Sequence, residues 1–281
     1  MKIGLIVNHQ KPLAKKVVKE IINFACKNGI EVMLEEESAQ KLNITRYATK
    51  IEDLTKTANL IIALGGDGTL LRTARLIQAK GIPIMGINLG GLGFMTTFSA
   101  EESKQALIDF LNKNYREEMR MVLEVTYRQK EKFFALNDCA INMAEHCRII
   151  EIMLNSNKQH ICKLVADGVV VSTPTGSTAY SLAAGGPIVF PTMEAIIITP
   201  LSPHVLSARP LIIPSDEIIT LQLTKTSENA IVTIDGQEQR PLNPNDKVTI
   251  TKADFSIRLI TPSNKSYYEI LRTKMKWTER E

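Results

Sequence analysis

The first part of the chain, from Lys2 to about Lys113, alternates short β-branched and apolar runs with stretches of helical periodicity. Strands separated by crossover helices predict a parallel, doubly wound sheet, because each crossover brings a helix back across a face of the sheet. The predicted strands are Ile3–Val7, Ile30–Leu34, Leu60–Leu64 and Ile84–Ile87. The predicted helices are Ala14–Asn28, closed by Gly29, then Leu70–Lys80, stopped by Gly81, and Glu101–Asn112, capped by Ser99.

Beyond about Tyr115 the apolar runs become short and alternate with polar positions, as in Met121, Leu123 and Val125 set against Arg120. Alternation of this kind is typical of strands with one buried face, and it predicts a mostly antiparallel, sandwich-like second domain. One short helix is expected within it, at Thr178–Ala184. The further predicted strands are Phe133–Leu136, Ile149–Leu154, Val169–Ser172, Ile196–Thr199, Ile218–Leu223, Ile231–Ile234, Val248–Thr251 and Phe255–Ile260.

A last helical stretch, Tyr268–Trp277, follows the final predicted strand. A single helix has no partner in a β-domain, so we expect this tail to pack back on the first domain. The chain then divides into an α/β domain, residues 1–115 plus 262–281, and a β-rich domain, residues 116–261.

Composition narrows the class of protein. The chain has 281 residues, 44% of them hydrophobic and 23% charged, which suits two packed globular domains. The net charge of +4 comes from scattered Lys and Arg; it suits a phosphate-bearing ligand and does not favour nucleic acid. The four cysteines form no CxxC pair and have no zinc-site spacing with a histidine, which indicates free thiols. We expect a cytoplasmic protein, because no apolar stretch has the length of a signal-peptide core or a membrane span.

The segment Gly65-Gly66-Asp67-Gly68-Thr69 joins the predicted strand Leu60–Leu64 to a helix. It therefore lies at the carboxyl end of a parallel strand, where open α/β sheets bind ligands. Glycines there let backbone amides approach a phosphate and take up positive φ, and the helix directs its N-terminal donors at the same anion. Neither the P-loop nor the dinucleotide-binding fingerprint is present.

Asp67 is unexpected in such a loop, because a carboxylate repels a phosphate. It would have a use if it accepted a proton from an attacking hydroxyl or held Mg²⁺. Alternatively, it would only bond the backbone amides of a turn. The spacing by itself leaves both interpretations open.

A second glycine cluster, Gly86 to Gly93, follows the strand Ile84–Ile87, so two loops are expected at the same edge of the sheet, around a shared cleft. Phe94 ends this cluster. It would serve either as a stacking face for a base or as a core residue.

The densest polar segment runs from Ala166 to Pro187, where a buried strand ends in a series of hydroxyl side chains. Pro174 and Gly176 bend the chain, and Ser177 is predicted to N-cap a short helix. Small residues there leave room for a flat ring, which Tyr180 would line or stack on. The alternative is a Ser/Thr-rich loop before a helix, although such residues bury little in a purely structural crossover.

Two shorter motifs contain carboxylates. Asn137-Asp138 offers an amide beside a carboxylate, which suits a ribose diol but equally suits a turn. Asp235-Gly236-Gln237 lies between apolar runs and predicts a hairpin turn.

Taken together, these motifs identify a resemblance to the NAD kinase family that covers nearly the whole chain. The matching segments, in family order, are Gly65–Thr69, Asn137-Asp138, Asp167–Tyr180 with its AAGGP continuation, Ser207–Pro210, Asp235–Gln237 and Leu271–Trp277.

The resemblance implies a Rossmann-like first domain, a β-rich second domain, NAD bound between the two, and a homodimer or homotetramer. The donor would be ATP or polyphosphate, accompanied by Mg²⁺. Asp67 would be the general base and Asn137 and Asp138 would hold the ribose of NAD. The other implied binding residues are Gly66, Gly68, Thr69, Phe94, Asp167, Thr175, Thr178, Ala179, Tyr180, Ala183 and Gln237. Arg72 and Arg148 would reach a phosphate or else be solvated surface residues.

Two other functions are compatible with parts of the sequence. Lipid kinases resemble this chain at the Gly65–Thr69 loop, but the chain shows no membrane-docking element to accompany it. A non-catalytic dinucleotide sensor would use the same pocket and would bind NAD without forming NADP.

Overall fold

The computed structural model describes residues 1–143, 149–225 and 230–277. In chain order the elements are β1 (Lys2–Val7), α1 (Ala14–Lys27), β2 (Glu31–Glu35), α2 (Glu36–Leu42), β3 (Ala48–Thr49), α3 (Ile51–Thr57), β4 (Leu60–Gly65), α4 (Asp67–Ile77), β5 (Ile84–Asn88), β6 (Phe98–Ser99), α5 (Ser103–Leu111), β7 (Tyr115–Tyr127), β8 (Glu131–Ala135), β9 (Asp138–Met143), β10 (Ile150–Ser156), β11 (Gln159–Ala166), β12 (Gly168–Ser172), α6 (Tyr180–Ala183), β13 (Ala195–Leu201), β14 (Leu211–Pro214), β15 (Ile219–Lys225), β16 (Ala230–Ile234), β17 (Glu238–Leu242), β18 (Lys247–Pro262) and α7 (Tyr267–Met275).

The chain forms two compact units. The first comprises Met1–Met119 together with the segment from Ile257 onward, and the second is Arg120–Ser256. The sequence predicts this division slightly differently, after residue 115, with the return of the chain at residue 262. No helix in the described ranges is long and apolar enough to cross a membrane.

The first unit is built on a parallel sheet with strand order β3-β2-β1-β4-β5. The end of β18 continues it, with Leu259 beside Ile84 in a parallel pair. Every residue of β4 is buried. Complete burial is expected of a parallel strand, because helices cover both faces of the sheet.

Helices lie on both faces of this sheet. Val17 of α1 and Leu107 of α5 share one core with Leu5 and Leu64 of the sheet. On the opposite face a side chain has no room at Gly4, where an added Cβ would lie 2.6 Å from the Cδ2 atom of Leu54 in α3. The predicted doubly wound α/β architecture is therefore correct.

The second unit is rich in antiparallel strands. One sheet has the order β14-β13-β12-β9-β16-β17, and a second layer has the order β11-β10-β15 followed by the start of β18. Alternate residues from both layers, such as Ile141 and Val171 from one and Ile152 and Leu221 from the other, form a single core. The β-rich second domain is thus confirmed.

Several element predictions need correction. Val248–Thr251 and Phe255–Ile260 belong to the single strand β18, because polar residues between them stay in the extended ladder. Helix α4 begins at Asp67, three residues before the predicted start. The helix predicted from Glu101 begins at Ser103, although the Ser99 hydroxyl does accept a bond from the Glu102 N–H, at 3.3 Å.

The predicted helix Thr178–Ala184 is also different in the structure. A short 3₁₀ turn, Thr175–Thr178, precedes the four-residue helix α6, whose N-cap position is Ala179. Ser177 does not cap it. Its hydroxyl donates to the Pro174 carbonyl at 2.7 Å and accepts from the Val189 N–H at 3.0 Å, so the side chain is used within the loop.

Gly86 shows how tightly the first unit is packed around β5. A Cβ there would lie 2.8 Å from the Cδ1 atom of Leu70 and 3.0 Å from the Cα atom of Thr96. We predict that Gly86→Ala lowers the free energy of unfolding by about 1–3 kcal/mol through overpacking, measured by urea denaturation. Gly91→Ala is the matched control, since no heavy atom lies within 4 Å of its added Cβ. Equal stability of the two variants would contradict this packing.

Candidate active site

The glycine loop connects β4 to α4 and requires one of its glycines for packing. A Cβ on Gly65 would lie 2.1 Å from Thr69 Oγ1, so the strand end and the first helical turn approach each other too closely for any side chain. The expectation of positive φ in this loop is wrong, because the positive-φ glycines of the described chain are Gly29, Gly81, Gly185 and Gly236.

Gly66 and Gly68 have a different role. An added Cβ on either would meet no heavy atom within 4 Å, so internal packing does not require glycine at these positions. Both line a cavity of about 490 Å³. The missing side chains keep that space open beside backbone amides and the start of α4, as expected where a phosphate is bound.

This space, the glycine-loop cavity, is lined mainly by polar residues. They come from the loop after β1, the end of β2, and the first turns of α4. The lining residues are Val7, Asn8, His9, Gln10, Lys11, Glu35, Glu37, Ser38, Gly66, Gly68, Thr69 and Arg72.

Arg72 is held in this cavity by Glu35, at the end of β2. Its Nη1 atom donates to Glu35 Oε2 at 3.0 Å, and its Nη2 atom donates to Glu35 Oε1. The hydrogen bond to Glu35 raises the pKa of Arg72, and burial opposes that effect. The Ser38 hydroxyl also donates to Glu35, at 3.1 Å. Arg72 is therefore a fixed cation on the cavity wall.

The Asp67 carboxylate binds the loop that follows β5. Its Oδ2 atom accepts from the Phe94 N–H at 2.9 Å, and its Oδ1 atom accepts from the Met95 and Thr96 N–H groups at 3.1 and 3.0 Å. Oδ1 also accepts from the Thr96 hydroxyl, at 2.9 Å. The carboxylate thus joins the two glycine loops, which come from the neighbouring parallel strands β4 and β5.

Phe94 is part-buried, and the Lys274 ammonium of α7 lies 5.7 Å from the centroid of its ring. Its ring is therefore a partner for a cation in this structure. It does not line the glycine-loop cavity, so the two glycine loops share a carboxylate rather than that cavity.

In the second unit, Asp235 fixes the position of the Asn137-Asp138 pair. Asp235 and Gly236 have φ of 49° and 65°, which is the conformation of the predicted hairpin turn between β16 and β17. The Asp235 carboxylate accepts from the N–H groups of Leu136, Asn137 and Asp138 at 2.9, 2.7 and 3.1 Å. A turn residue thereby orients the segment before β9.

The backbone of Asn137 is also in close contact with Gly176. A Cβ on Gly176 would lie 2.1 Å from the Asn137 carbonyl oxygen. In the ranges that the structure describes, the buried Oδ1 atoms of Asn137 and Asn142 have no hydrogen-bond partner. Buried acceptors are normally satisfied, so these two oxygens are suited to donors supplied by a ligand.

Both asparagines line a second cavity, of about 360 Å³, which we call the Asn137–Asp138 cavity. Its walls are the ends of β9, β16 and β17 and the start of α6. The lining residues are Asn137, Asp138, Ala140, Asn142, Ala179, Tyr180, Ile231, Thr233, Asp235, Gly236 and Gln239.

The charge state of this cavity depends on Asp138. Burial, and secondly the charge of Asp235, raise the pKa of the Asp138 carboxyl to about 7. Burial is also the main cause of the raised pKa of Tyr180, with smaller contributions from Asp138 and Asp167. A buried carboxyl with a pKa near neutrality is typical of a functional site.

The structure gathers only part of the predicted binding set. Gly66, Gly68, Thr69 and Arg72 line the first cavity, and Asn137, Asp138, Ala179 and Tyr180 line the second. Arg148 lies outside the described residues. The remaining predicted site residues, which line neither cavity, are Asp67, Phe94, Asp167, Thr175, Thr178, Ala183 and Gln237.

Two of these remaining residues make structural contacts that explain why they do not line a cavity. Thr175 is buried, and the Arg120 guanidinium donates to its hydroxyl at 3.3 Å. Gln237 is exposed in the hairpin, where its N–H donates to the Ile234 carbonyl at 2.9 Å. Two residues further on, Gln239 faces the Asn137–Asp138 cavity instead.

Three residues that line these cavities are not predicted from the sequence: Glu35, Asn142 and Gln239. Glu35 ends an apolar strand and could have been noticed as an acidic residue at the carboxyl edge of the sheet. Asn142 and Gln239 lie within strands, and only the pairing of β9, β16 and β17 brings them to one face.

Models of a known protein family match both halves of the chain. A family model described as the ATP-NAD kinase N-terminal domain matches residues 3–115, and one described as the ATP-NAD kinase C-terminal domain matches residues 136–261. The NAD kinase of Heliobacterium modesticaldum is 38% identical over 97% of this chain and 98% of its own. That of Geotalea daltonii is 36% identical over 99% of both.

Solved structures share the fold. A yeast NADH kinase complexed with NADH matches with a TM-score of 0.88 at 24% identity, covering 100% of this chain and 89% of that one. An NAD kinase from Archaeoglobus fulgidus in complex with ATP matches with a TM-score of 0.80 at 25% identity, covering 99% and 100%.

These matches define the class of protein as a phosphotransferase that acts on an alcohol group. The chain belongs to the NAD kinase family, and its reaction is the phosphorylation of NAD, at the 2′-hydroxyl of the adenosine ribose, to NADP. They favour this function over a lipid kinase or a non-catalytic sensor.

The pKa of Asp138 makes a prediction about stability. The pKa of the Asp138 carboxyl is about 7 in the folded protein and exceeds its ordinary value of 3.8. As the pH rises, the unfolded chain therefore loses the Asp138 proton before the folded protein does. The free energy of unfolding of the wild type, minus that of Asp138→Asn, should therefore fall between pH 4 and pH 7, by about 1.4 kcal/mol per pH unit. Urea denaturation across this range measures it. A constant difference between the two proteins would contradict the assignment.

Proposed function

We propose that Asp67 is the general base of this NAD kinase and removes the proton of the 2′-hydroxyl of NAD. A sugar hydroxyl is a poor nucleophile until a base accepts its proton. Oδ1 of Asp67 accepts three hydrogen bonds, whereas in the described part of the chain Oδ2 accepts only that of Phe94. Oδ2 therefore has a lone pair for the substrate, and this observation carries the proposal.

The glycine-loop cavity is the proposed site of the phosphoryl donor. Its support is the open space over Gly66 and Gly68, together with the Arg72 cation held beside them. Thr69 adds a hydroxyl. ATP is the proposed donor, since the A. fulgidus relative is described in complex with it, and polyphosphate is the alternative that an assay distinguishes.

Mg²⁺ would accompany the donor. The oxygen groups at the loop, the Asp67 carboxylate and the Thr69 hydroxyl, are of the type that Mg²⁺ prefers, and this ion commonly takes few protein ligands beside phosphate oxygens and water. When bound, it would neutralise charge on the phosphates. The proposed fit of this loop to Mg²⁺ therefore rests on the preference of the ion for oxygen ligands.

The Asn137–Asp138 cavity is the proposed site of NAD. The Oδ1 atoms of Asn137 and Asn142, which have no partner among the described residues, would accept donors from the dinucleotide, and the Asp138 carboxylate would accept a ribose hydroxyl. Tyr180 offers a ring at the same cavity. The other family-derived contacts, Phe94, Asp167, Thr175, Thr178, Ala183, Gln237 and Arg148, stay predictions.

Further properties belong to the same proposal. We infer a Rossmann-like first domain on which the tail helix α7 packs, supported by the parallel sheet and by the contact of Lys274 with Phe94. A homodimer or homotetramer is supported by exposed apolar residues in the second unit, where Leu206 is 91% exposed. The cytoplasmic location stays a prediction from the sequence.

The proposal predicts the behaviour of Asp67→Asn. This variant keeps the size of the side chain but removes the base, so NAD should still bind while kcat falls by about 10²–10⁴-fold. Purified wild type and variant are incubated with NAD, Mg²⁺ and either ATP or polyphosphate, and NADP is detected with an NADP-specific dehydrogenase. NAD affinity is measured by calorimetry.

Glu36→Gln is the control, because it removes an exposed carboxylate that lines neither cavity. An Asp67→Asn variant with near-normal turnover would overturn the assignment of the base.

A further inference from the structure

The loop that follows β1 borders the glycine-loop cavity. Four of its residues in a row, Asn8 to Lys11, line that cavity. None of them belongs to the motifs on which the family resemblance rests. Their side chains carry two amides, an imidazole and an ammonium group. The loop therefore presents several hydrogen-bonding groups to the proposed donor site.

Asn8 fixes this loop against the end of β4. Its N–H donates to the Leu64 carbonyl at 2.8 Å, and its own carbonyl accepts from the Lys11 N–H at 3.2 Å. The Asn8 Oδ1 atom accepts from the Gln10 N–H at 3.2 Å, which closes a turn of the Asx type. The backbone of Lys11 is therefore tied to the strand that carries the first glycine loop.

The Lys11 side chain reaches the second glycine loop. Its Nζ atom would lie 3.9 Å from a Cβ added to Gly90, and a Cβ added to Gly91 would meet no heavy atom within 4 Å. Gly90 is itself held in place, because its N–H donates to Asn88 Oδ1 at 2.8 Å. The ammonium group thus lies beside open glycine backbone, on a residue that also lines the cavity.

Charge distinguishes Lys11 from the other residues of the cavity. The lining contains one arginine and one lysine, and the arginine, Arg72, is bound by Glu35. Lys11 forms no ion pair within the ranges that the structure describes, although the exposed Glu37 also lines the cavity. Its charge is therefore available to a phosphate chain, which an ammonium group binds as a point charge.

We propose that Lys11 binds the phosphate chain of the phosphoryl donor and so completes the binding site over the glycine loop. It supplies a full positive charge beside backbone amides, which carry only partial charges. This inference rests on the proposed function, in which the donor occupies the glycine-loop cavity. Binding of the donor phosphates, and not binding of NAD, then depends on the charge at position 11.

The test is donor binding by Lys11→Met, which keeps a long unbranched side chain and removes the charge. Inorganic tripolyphosphate with Mg²⁺ is titrated into the purified protein by calorimetry, because this probe contains the phosphate chain without a nucleoside. Its Kd and the KM for ATP should each rise by about tenfold, as expected for a lost hydrogen bond to a charged group. KM for NAD should change less than about threefold. Lys11→Arg, which keeps the charge, should stay within about threefold of the wild type throughout.

Lys15→Met is the matched control. Lys15 lies in the first turn of α1, is exposed and lines neither cavity. Its replacement by Met changes the net charge of the protein by the same amount as Lys11→Met. A loss that comes only from the lower overall charge should therefore appear in both variants, whereas a lost phosphate contact should appear only in Lys11→Met.

Unchanged values of the tripolyphosphate Kd and of the KM for ATP in Lys11→Met overturn the inference. An equal loss in Lys15→Met or in Lys11→Arg also overturns it, because the effect would then not come from a charge at this position.

Gly66→Val separates this inference from the proposed donor site. A Cβ added to Gly66 meets no heavy atom within 4 Å, so a larger side chain there would occupy the cavity. Tripolyphosphate binding that survives in Gly66→Val would reject the cavity as the donor site, and the role of Lys11 with it. Lost binding in a Gly66→Val protein that melts like the wild type, beside unchanged binding in Lys11→Met, would reject only the role of Lys11.

Discussion

The hydrogen bonds between the Asp67 carboxylate and residues 94–96 are the constraint on which the candidate active site depends. They are possible because β4 and β5 are parallel neighbours, which places the loops after both strands at one edge of the sheet. Without these hydrogen bonds, a carboxylate among glycines would only repel a phosphate. Here both of its oxygens bind the adjoining loop, Oδ1 with three hydrogen bonds and Oδ2 with one.

The second unit uses the same physical device. Asp235, in a hairpin turn, binds three consecutive backbone N–H groups from Leu136 to Asp138 and so orients the residues that face a cavity. Burial, and secondly the charge of the nearby Asp235 carboxylate, raise the pKa of Asp138 in this arrangement. In both units an aspartate side chain fixes a stretch of backbone from another element.

The sequence predicts well what depends on local pattern. Leu60–Leu64 is apolar enough to be a buried strand, and the glycines after it have to end that strand, so the position of Asp67 at the sheet edge follows directly. The predicted N-cap role of Ser177 and the predicted positive φ in the glycine loop are wrong, because a local pattern is compatible with several uses of a hydroxyl or a glycine. The contacts of Glu35 with Arg72 and of Thr96 with Asp67 join separate elements, and no local sequence pattern contains them.

The most direct test of the central claim is a crystal structure of the protein with NAD and a non-hydrolysable ATP analogue. The account predicts that Asp67 Oδ2 lies about 3 Å from the 2′-oxygen of the adenosine ribose, with Oδ1 still bonded to Thr96. A 2′-hydroxyl bound away from Asp67, with another side chain within hydrogen-bonding distance of it, would contradict the account.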